Sequence, residues 1–195
     1  MRGRVAVHRE NGETEHSPWS PYQLGTQNFG LLFHSILTDK PGDVSVQQVT
    51  DGGDKIQVYN GAKITFQTWE NAEGQTEWSN VFADADDRFT WARVGWGDDG
   101  SGSASISDDD ISSKYDEFNA GETSLDTSNG TLTVSGSSAY GGSPTTVENI
   151  GYYLLVNSNN GTDAAYHYSL MDHTYISGPN VSDGDTVQVT YEISW

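Results

Sequence analysis

Asp185-Thr186-Val187-Gln188-Val189-Thr190-Tyr191-Glu192-Ile193-Ser194-Trp195 ends the chain and decides its fold. Val187, Val189, Tyr191, Ile193 and Trp195 fall on one side; Thr186, Gln188, Thr190, Glu192 and Ser194 fall on the other. Strict alternation of apolar and polar residues is the pattern of a β-strand with one face buried and one face wet. The residues before it, Ser182-Asp183-Gly184-Asp185, suit a tight turn. Trp195 closes the apolar row, so the strand is expected to be docked with that indole buried. A strand of this length with one wet face belongs to an antiparallel sheet packed on a second layer.

The rest of the sequence repeats the theme. The chain has 195 residues and 22 glycines, and Ser, Thr, Asp and Asn fill the gaps between short apolar runs. Strands are expected at Phe29–Thr38, at Val44 to Val49, at Ile56 and Val58, and at Ile64 to Thr68. They are expected again around Trp78 to Phe82, from Phe89 to Val94, at Leu132 and Val134, and from Tyr166 to Leu170. Val147–Val156 reads as a central strand. Turns fall at Asp51-Gly52-Gly53-Asp54, at Asn60-Gly61 and at Asn71 to Gln75. One helix is expected over Ser107 to Phe118. Ser107 would cap it, Asp108, Asp109 and Asp110 would fill its first turn, and Ile111, Tyr115 and Phe118 would make its apolar face. The expected architecture is an all-β antiparallel β-sandwich of jelly-roll type with one short helix.

Residues 1–27 read as an N-terminal arm, and residues 28–195 as the sandwich domain. The arm carries Arg2, Arg4 and Arg9, three of the five arginines, together with His8, His16, Pro18 and Pro21. Trp19 and Tyr22 are its candidate anchors, holding it either to a neighbouring subunit or to its own domain. The start of the chain has no apolar stretch of signal-peptide length, so no cleaved leader is expected. No apolar run is long enough for a membrane-spanning helix, and membrane insertion is not expected.

Charge is the strongest compositional signal: 28 acidic residues against 9 basic ones, a net charge of −19. Self-repulsion on that scale opposes compaction in dilute buffer, and molar salt, with a Debye length of about 3 Å, screens it. The acidic residues are spread over nearly every turn, which favours adaptation to high salt over a single basic partner. No basic patch faces phosphates, so nucleic-acid binding is not expected. Cysteine is absent, which excludes disulfides and thiolate metal sites.

No catalytic constellation emerges, and no catalytic residue, metal or cofactor is assigned. Asp126-Thr127-Ser128-Asn129-Gly130 resembles half of an aspartic-protease turn, but no second copy exists to share a proton, so a hairpin turn is expected. His167, Asp172 and His173 fall short of a zinc ligand set, and the histidines are expected at the surface. Asp98, Asp99 and Asp108 to Asp110 bracket a Gly/Ser loop without calcium-loop spacing. Asn129, Asn160 and Asn180 match the glycosylation acceptor pattern. Trp69, Trp78, Trp91 and Trp96 form either a sugar-stacking face or part of the core.

From Arg88 to Trp195 the order of features resembles a group of small structural proteins of tailed-virus particles. The residues that carry the resemblance are the Gly95-Trp96-Gly97 step, the short Asp-started helix expected at Ser107 to Phe118, Asn149-Ile150-Gly151-Tyr152-Tyr153, and Gly184-Asp185-Thr186 before the final strand. The resemblance implies a non-enzymatic, oligomeric decoration or turret component of the head, or a tail or fibre component. Its implied partners are copies of itself, other virion proteins and a host cell-surface glycan or protein, and its place is the virion, assembled in the host cytoplasm. The acidity adds a haloarchaeal host. The competing reading is a secreted carbohydrate-binding module.

Overall fold

The final strand runs from Thr186 to Ser194, with Val187, Val189 and Tyr191 fully buried and Thr186, Gln188 and Thr190 half-exposed, as its alternation demands. Trp195 lies outside the described residues. The computed structural model describes residues 1–26, 29–30, 44–47, 55–58, 67–70, 76–79, 92–105, 107–108, 110–120, 122–126, 128–159 and 164–194. Within them the chain is antiparallel β-structure with almost no helix. The strands are β1 (Arg2–His8), β2 (Thr14–His16), β3 (Val44–Gln47), β4 (Lys55–Val58), β5 (Gln67–Glu70), β6 (Thr76–Ser79), β7 (Ala92–Gly97) and β8 (Lys114–Asn119). They continue with β9 (Glu122–Asp126), β10 (Thr131–Ala139), β11 (Thr145–Thr146), β12 (Asn149–Asn159), β13 (Ala164–Tyr175), β14 (Asn180–Val181) and β15 (Thr186–Ser194).

β15 is the middle of a five-stranded sheet of order β2-β1-β15-β10-β9. The register pairs Val5 with Val189 and Val7 with Val187 on one flank, and Val134 with Tyr191 on the other. The turn before β15 is closed by its own residues. Asp185 N–H donates to Ser182 O (3.0 Å), Ser182 N–H donates to Asp185 Oδ2 (2.8 Å), and Gly184 takes φ +87°, a conformation costly for any residue with a Cβ. Arg9 reaches over from the β1–β2 turn to Asp185 (2.6 Å).

The second sheet has the order β13-β12-β7-β8, with β12 in its interior as expected. Ile150, Tyr152 and Leu154 of β12 and Ala92, Val94 and Trp96 of β7 are buried in the same hydrophobic cluster as Val5, Val134, Val187, Val189 and Tyr191 of the first sheet. Two inner faces thus share one core. The β12–β13 register shifts between Tyr152 and Tyr153: Tyr152 pairs with Asp172, but Tyr153 pairs with Leu170. The extra residue is Met171. It joins the main core, while Leu170 joins a smaller outer cluster with Tyr153, Tyr168 and Ile111. The bulge lets consecutive residues, Met171 and Asp172, both be buried.

β3 pairs with β4, β5 with β6, and β11 with β14, each as a two-stranded antiparallel sheet. The turns expected at 51–54, 60–61 and 71–75 lie outside the described residues, as does most of the strand expected at 29–38. Phe29 and Gly30, expected to begin that strand, instead form a helical turn in which Gly30 N–H donates to Thr26 O (3.3 Å).

The helix expected at 107–118 is not formed, and Lys114–Asn119 is a strand paired with β7. The aspartates that promised a helix start bind the nearby backbone in other conformations: Asp108 Oδ2 accepts from Ser105 N–H (2.8 Å), and Asp110 Oδ1 accepts from Ile111 N–H (2.8 Å). Ser113 sits at φ +44°, outside the right-handed helical region. Ile111 and Phe118, expected on one helix face, pack on opposite sides of the sheet: Ile111 in the outer cluster and Phe118 against the main core.

The arm also needs correction. Arg2–His8 is an inner strand, paired with β15 along all seven residues, because Gly3, Val5 and Val7 alternate with Arg2, Arg4 and His8. Residues 1–26 are bonded to the chain's own sheets.

Candidate functional site

The outer edge of β1 presents backbone N–H and C=O groups that need partners. β2 serves Ala6, Val7 and His8. Beyond it, Ser17-Pro18-Trp19-Ser20-Pro21-Tyr22 is a repeated Ser-Pro-aromatic triplet. Proline has no N–H and holds its backbone extended, which suits an edge segment with a three-residue period. Ser17 N–H donates to Val5 O (2.8 Å), and Ser17 Oγ accepts from Val5 N–H (2.9 Å). Ser20 does the same for Gly3, at 2.8 and 2.9 Å. The two hydroxyls then donate to Pro18 O (2.9 Å) and Pro21 O (3.2 Å). The aromatic of each triplet lies against arginines of β1. The Arg4 guanidinium is 4.5 Å from the Trp19 ring, and that of Arg2 is 4.7 Å from the rings of both Trp19 and Tyr22. The anchors read from the sequence are real, and they anchor to the chain's own first strand.

The segment then changes sheets. Gln23 N–H donates to Met1 O (2.8 Å), and the Met1 ammonium donates to Gln23 O (2.6 Å). Three residues on, Thr26 N–H donates to Met171 O (2.8 Å) and its hydroxyl to Leu170 O (2.7 Å), both on β13. One continuous strap therefore closes the β1 edge of one sheet and the β13 edge of the other.

A second cover lies on the outer face of the β13-β12-β7-β8 sheet. The described residues of 98–113 fold over it, where Gly97 lets the Ser112 carbonyl approach so closely that a Cβ would collide with it. Asn149 Nδ2 donates to Asp99 O (3.0 Å) and Ser112 O (2.9 Å), and Ser112 Oγ bonds Tyr175 OH (2.7 Å). Tyr153 OH donates to Asp110 Oδ1 (2.8 Å); burial, with Asp110 adding to it, pushes this phenol far above its ordinary range. Burial works to lower the Lys114 ammonium, but ion pairs to Asp110 (2.7 Å) and Glu117 (3.3 Å) outweigh it and hold its pKa above the usual lysine value.

Strap and cover meet at the β13 edge and leave a polar cleft of about 70 Å³. Gln23 and Thr26 line it from the strap, Ala104 and Ser105 from the cover, and Asp172 and His173 from β13. Both β13 residues are buried, at 1% and 4% exposure. Burial drives the Asp172 carboxyl above its ordinary range, against the opposing pull of Thr174 Oγ1 (2.9 Å) and the chain's ammonium terminus. Gln23 Nε2 also bonds Asp172 Oδ2 (3.4 Å) and Thr174. His173 Nδ1 lies 2.6 Å from Asp108 Oδ2, and its ring packs on Tyr175 at 4.9 Å, but its Nε2 is buried without a hydrogen-bond partner.

The expectation of surface histidines therefore fails for His173, whose cover comes from a loop 65 residues away. His16 is exposed and His8 half-buried, while the side chains of His34 and His167 lie outside the described residues. Asp98 accepts from Thr145 Oγ1 (3.1 Å), and Asp99 from Ser101 N–H (2.9 Å) and Oγ (2.6 Å). Among the described residues no group of three or more His, Cys, Asp or Glu side chains is placed to hold a metal ion. Asp126 organises the β9–β10 turn, accepting from the N–H groups of Ser128 (2.9 Å) and Asn129 (3.2 Å). Asn129 and Asn180 are exposed, and Asn160 lies outside the described residues. Trp96 is in the core, 1% exposed and stacked on Tyr115 at 4.8 Å, so it belongs to no sugar-stacking surface. The side chains of Trp69, Trp78 and Trp91 lie outside the described residues.

Comparison of the chain with protein-family models, with curated proteins and with solved structures gave no match.

Proposed function

We propose that this chain is a non-enzymatic structural protein of a tailed-virus particle, an oligomeric decoration or turret component that works at high salt and is built as a jelly-roll-type β-sandwich. The observation that carries the reading is a net charge of −19 on an antiparallel body of two sheets with one shared core. Such a body offers a rigid carrier, and such a charge keeps it hydrated and soluble in brine. The order of features adds support: Gly95-Trp96-Gly97 ends β7, Asn149-Ile150-Gly151 opens β12, and Gly184-Asp185-Thr186 leads into β15. The segment 107–118 departs from the pattern, since it ends in a strand. Partners on this reading are further copies, other virion proteins and a host-surface glycan or protein. The burial of Trp96 removes one member of the tryptophan set on which the carbohydrate-module reading stood.

The test is solution mass by light scattering after size exclusion, at molar KCl and at low salt. A defined oligomer that dissociates at low salt supports the proposal. A folded monomer at both salts, with glycan binding lost on Trp69→Ala, replaces it with the carbohydrate module.

A further inference from the structure

We propose that the outer face of the β2-β1-β15-β10-β9 sheet binds an acidic saccharide, a sugar chain bearing carboxylate or sulfate groups, with Arg4 as the residue that takes the anion. The first support is the charge of that face. Residues directly opposite on paired strands share a side of the sheet. Arg4, Thr190 and Ser135 form one such row and Ala6, Gln188 and Ser137 the next, while Val5 and Val189 between them turn into the core. Over β1, β15 and β10 the outer side carries two arginines, Arg2 and Arg4, and a single carboxylate, Glu192; the rest is Thr, Ser and Gln with one histidine and two alanines. An anion therefore meets far less repulsion here than the net charge of −19 implies.

The second support is a guanidinium left free. Among the described residues, Arg2, Arg9, Arg93 and Lys114 each hold a carboxylate at 2.8 Å or less. Arg4 holds none, in a chain with 28 acidic residues to 9 basic ones. The one carboxylate of its face, Glu192, is taken by Arg2 (2.7 Å) and by the Tyr22 hydroxyl. Arg4 is half-buried, with its guanidinium 4.5 Å from the Trp19 ring. Stacking takes the flat face of a guanidinium and leaves the N–H donors in its plane, oriented for a carboxylate or sulfate.

The third support is the chemistry around it. Thr133, Gln188 and Thr190 are half-exposed on this face and Ser137 is exposed, a field of hydroxyls and amides that matches the hydroxyls of sugar rings. The Tyr22 ring, 55% exposed, adds an aromatic wall at the rim beside Arg2 (4.7 Å). The same inventory disfavours a protein partner, because two alanines are the only apolar residues that the three strands place on this side, and protein interfaces have an apolar centre. At molar salt a Debye length of about 3 Å screens the rest of the chain's charge and leaves the direct contact with Arg4. In naming a glycan the inference rests on the partner proposed above; the face and the charge of the sugar come from this sheet. Saccharide titration reads the site and solution mass reads the particle, so either can fail alone.

The test titrates the full chain at molar KCl, followed by amide NMR, with an oligogalacturonate, a sulfated oligosaccharide and a neutral malto-oligosaccharide of equal length. Saturable shifts at Arg4, Gln188 and Thr190 are expected with an acidic saccharide and not with the neutral one, and the acidic saccharide that binds identifies the anion. Arg4→Gln is expected to weaken binding about 10–100-fold. Arg4→Lys, which keeps the charge but not the planar fork, is expected to weaken it less, and Arg93→Gln, on the other sheet, to leave it unchanged. No saturable shift with either acidic saccharide overturns the proposal, as does equal binding of the neutral one or binding that survives Arg4→Gln. Shifts at the same amides on raising the protein concentration alone would give the face to a second copy and overturn it too. Should Arg4→Gln not fold, the wild-type spectrum decides: saturation with the Arg4, Gln188 and Thr190 amides unmoved overturns the site.

Discussion

Residues 17–26 and the described residues of 98–113 both close the molecule without forming long strands, and they do so by different bonds. The strap works through backbone: the N–H groups of Ser17, Ser20 and Thr26 donate to carbonyls of β1 or β13, and that of Gln23 to the carbonyl of Met1, just before β1. The cover works mainly through side chains: Asp108 to His173, Asp110 to Tyr153 and Lys114, Ser112 to Tyr175, with Ile111 as its apolar plug. The difference follows from what each must satisfy. A sheet edge exposes N–H and C=O groups, which only matching donors and acceptors can serve. A sheet face exposes side chains, which other side chains can cover. The strap is therefore part of the fold, whereas the cover is an ionisable layer laid on it.

The comparison breaks most visibly if residues 1–27 are removed. An arm could be deleted with the fold intact. Here the deletion takes an inner strand and its seven pairings with β15, so the expected outcome is loss of the cooperative thermal transition in circular dichroism at molar KCl. A preserved transition would restore the arm. Next in size is Ile111→Ala, which empties the plug of the outer cluster. The expected cost is about 2–4 kcal/mol in urea unfolding, with faster amide exchange in 98–113 and unchanged exchange in β1 and β15. Ser17→Ala follows, leaving the Val5 N–H buried and unpaired for a loss of about 1–3 kcal/mol; a change near zero would mean that the serine hydroxyls do not hold the edge.

The smallest effects are in pH. Burial raises the Asp185 carboxyl, but the Ser182 N–H and Arg9 overcome it and hold the carboxyl below its ordinary value. Its contribution is then present above the unfolded pKa and lost as pH falls through the lower folded value. Asp172 has the opposite sign. Its folded pKa is raised by burial, so its contribution is present at low pH and lost as pH rises through that value. The melting temperature of Asp172→Asn relative to wild type should accordingly climb as pH rises above the ordinary aspartate range, and a flat difference would show that the strap does not bury this carboxylate.

Much of the fold was legible because burial on one face writes a period of two. β15 shows it, whereas β12, buried on both faces, shows a continuous apolar run instead. β1 shows it too, with Gly3, Val5 and Val7 against Arg2, Arg4 and His8, but prolines, histidines and charge around it mask seven good residues. The Ser-Pro-aromatic triplet was in plain view, and what it lacked in sequence was the strand it serves. The helix misreading has a physical source. Ile111, Tyr115 and Phe118 fit a helical period, and Asp108 and Asp110 fit a first turn, yet the same aspartates bond the local backbone equally well when it is not helical. The cleft was not legible. His173 and Asp108 stand far apart in the chain, and only the folded cover brings them together.

Amide hydrogen exchange at Gly3 and Val5, at molar KCl, tests the account most directly. If the strap is integral to the fold, these amides, held by Ser20 and Ser17, exchange as slowly as Val187 and Val189 of β15 and open only in global unfolding. Exchange at the rate of an unprotected peptide, with β15 still protected, would show residues 1–26 to be a detachable arm and would contradict the structure proposed for the whole edge.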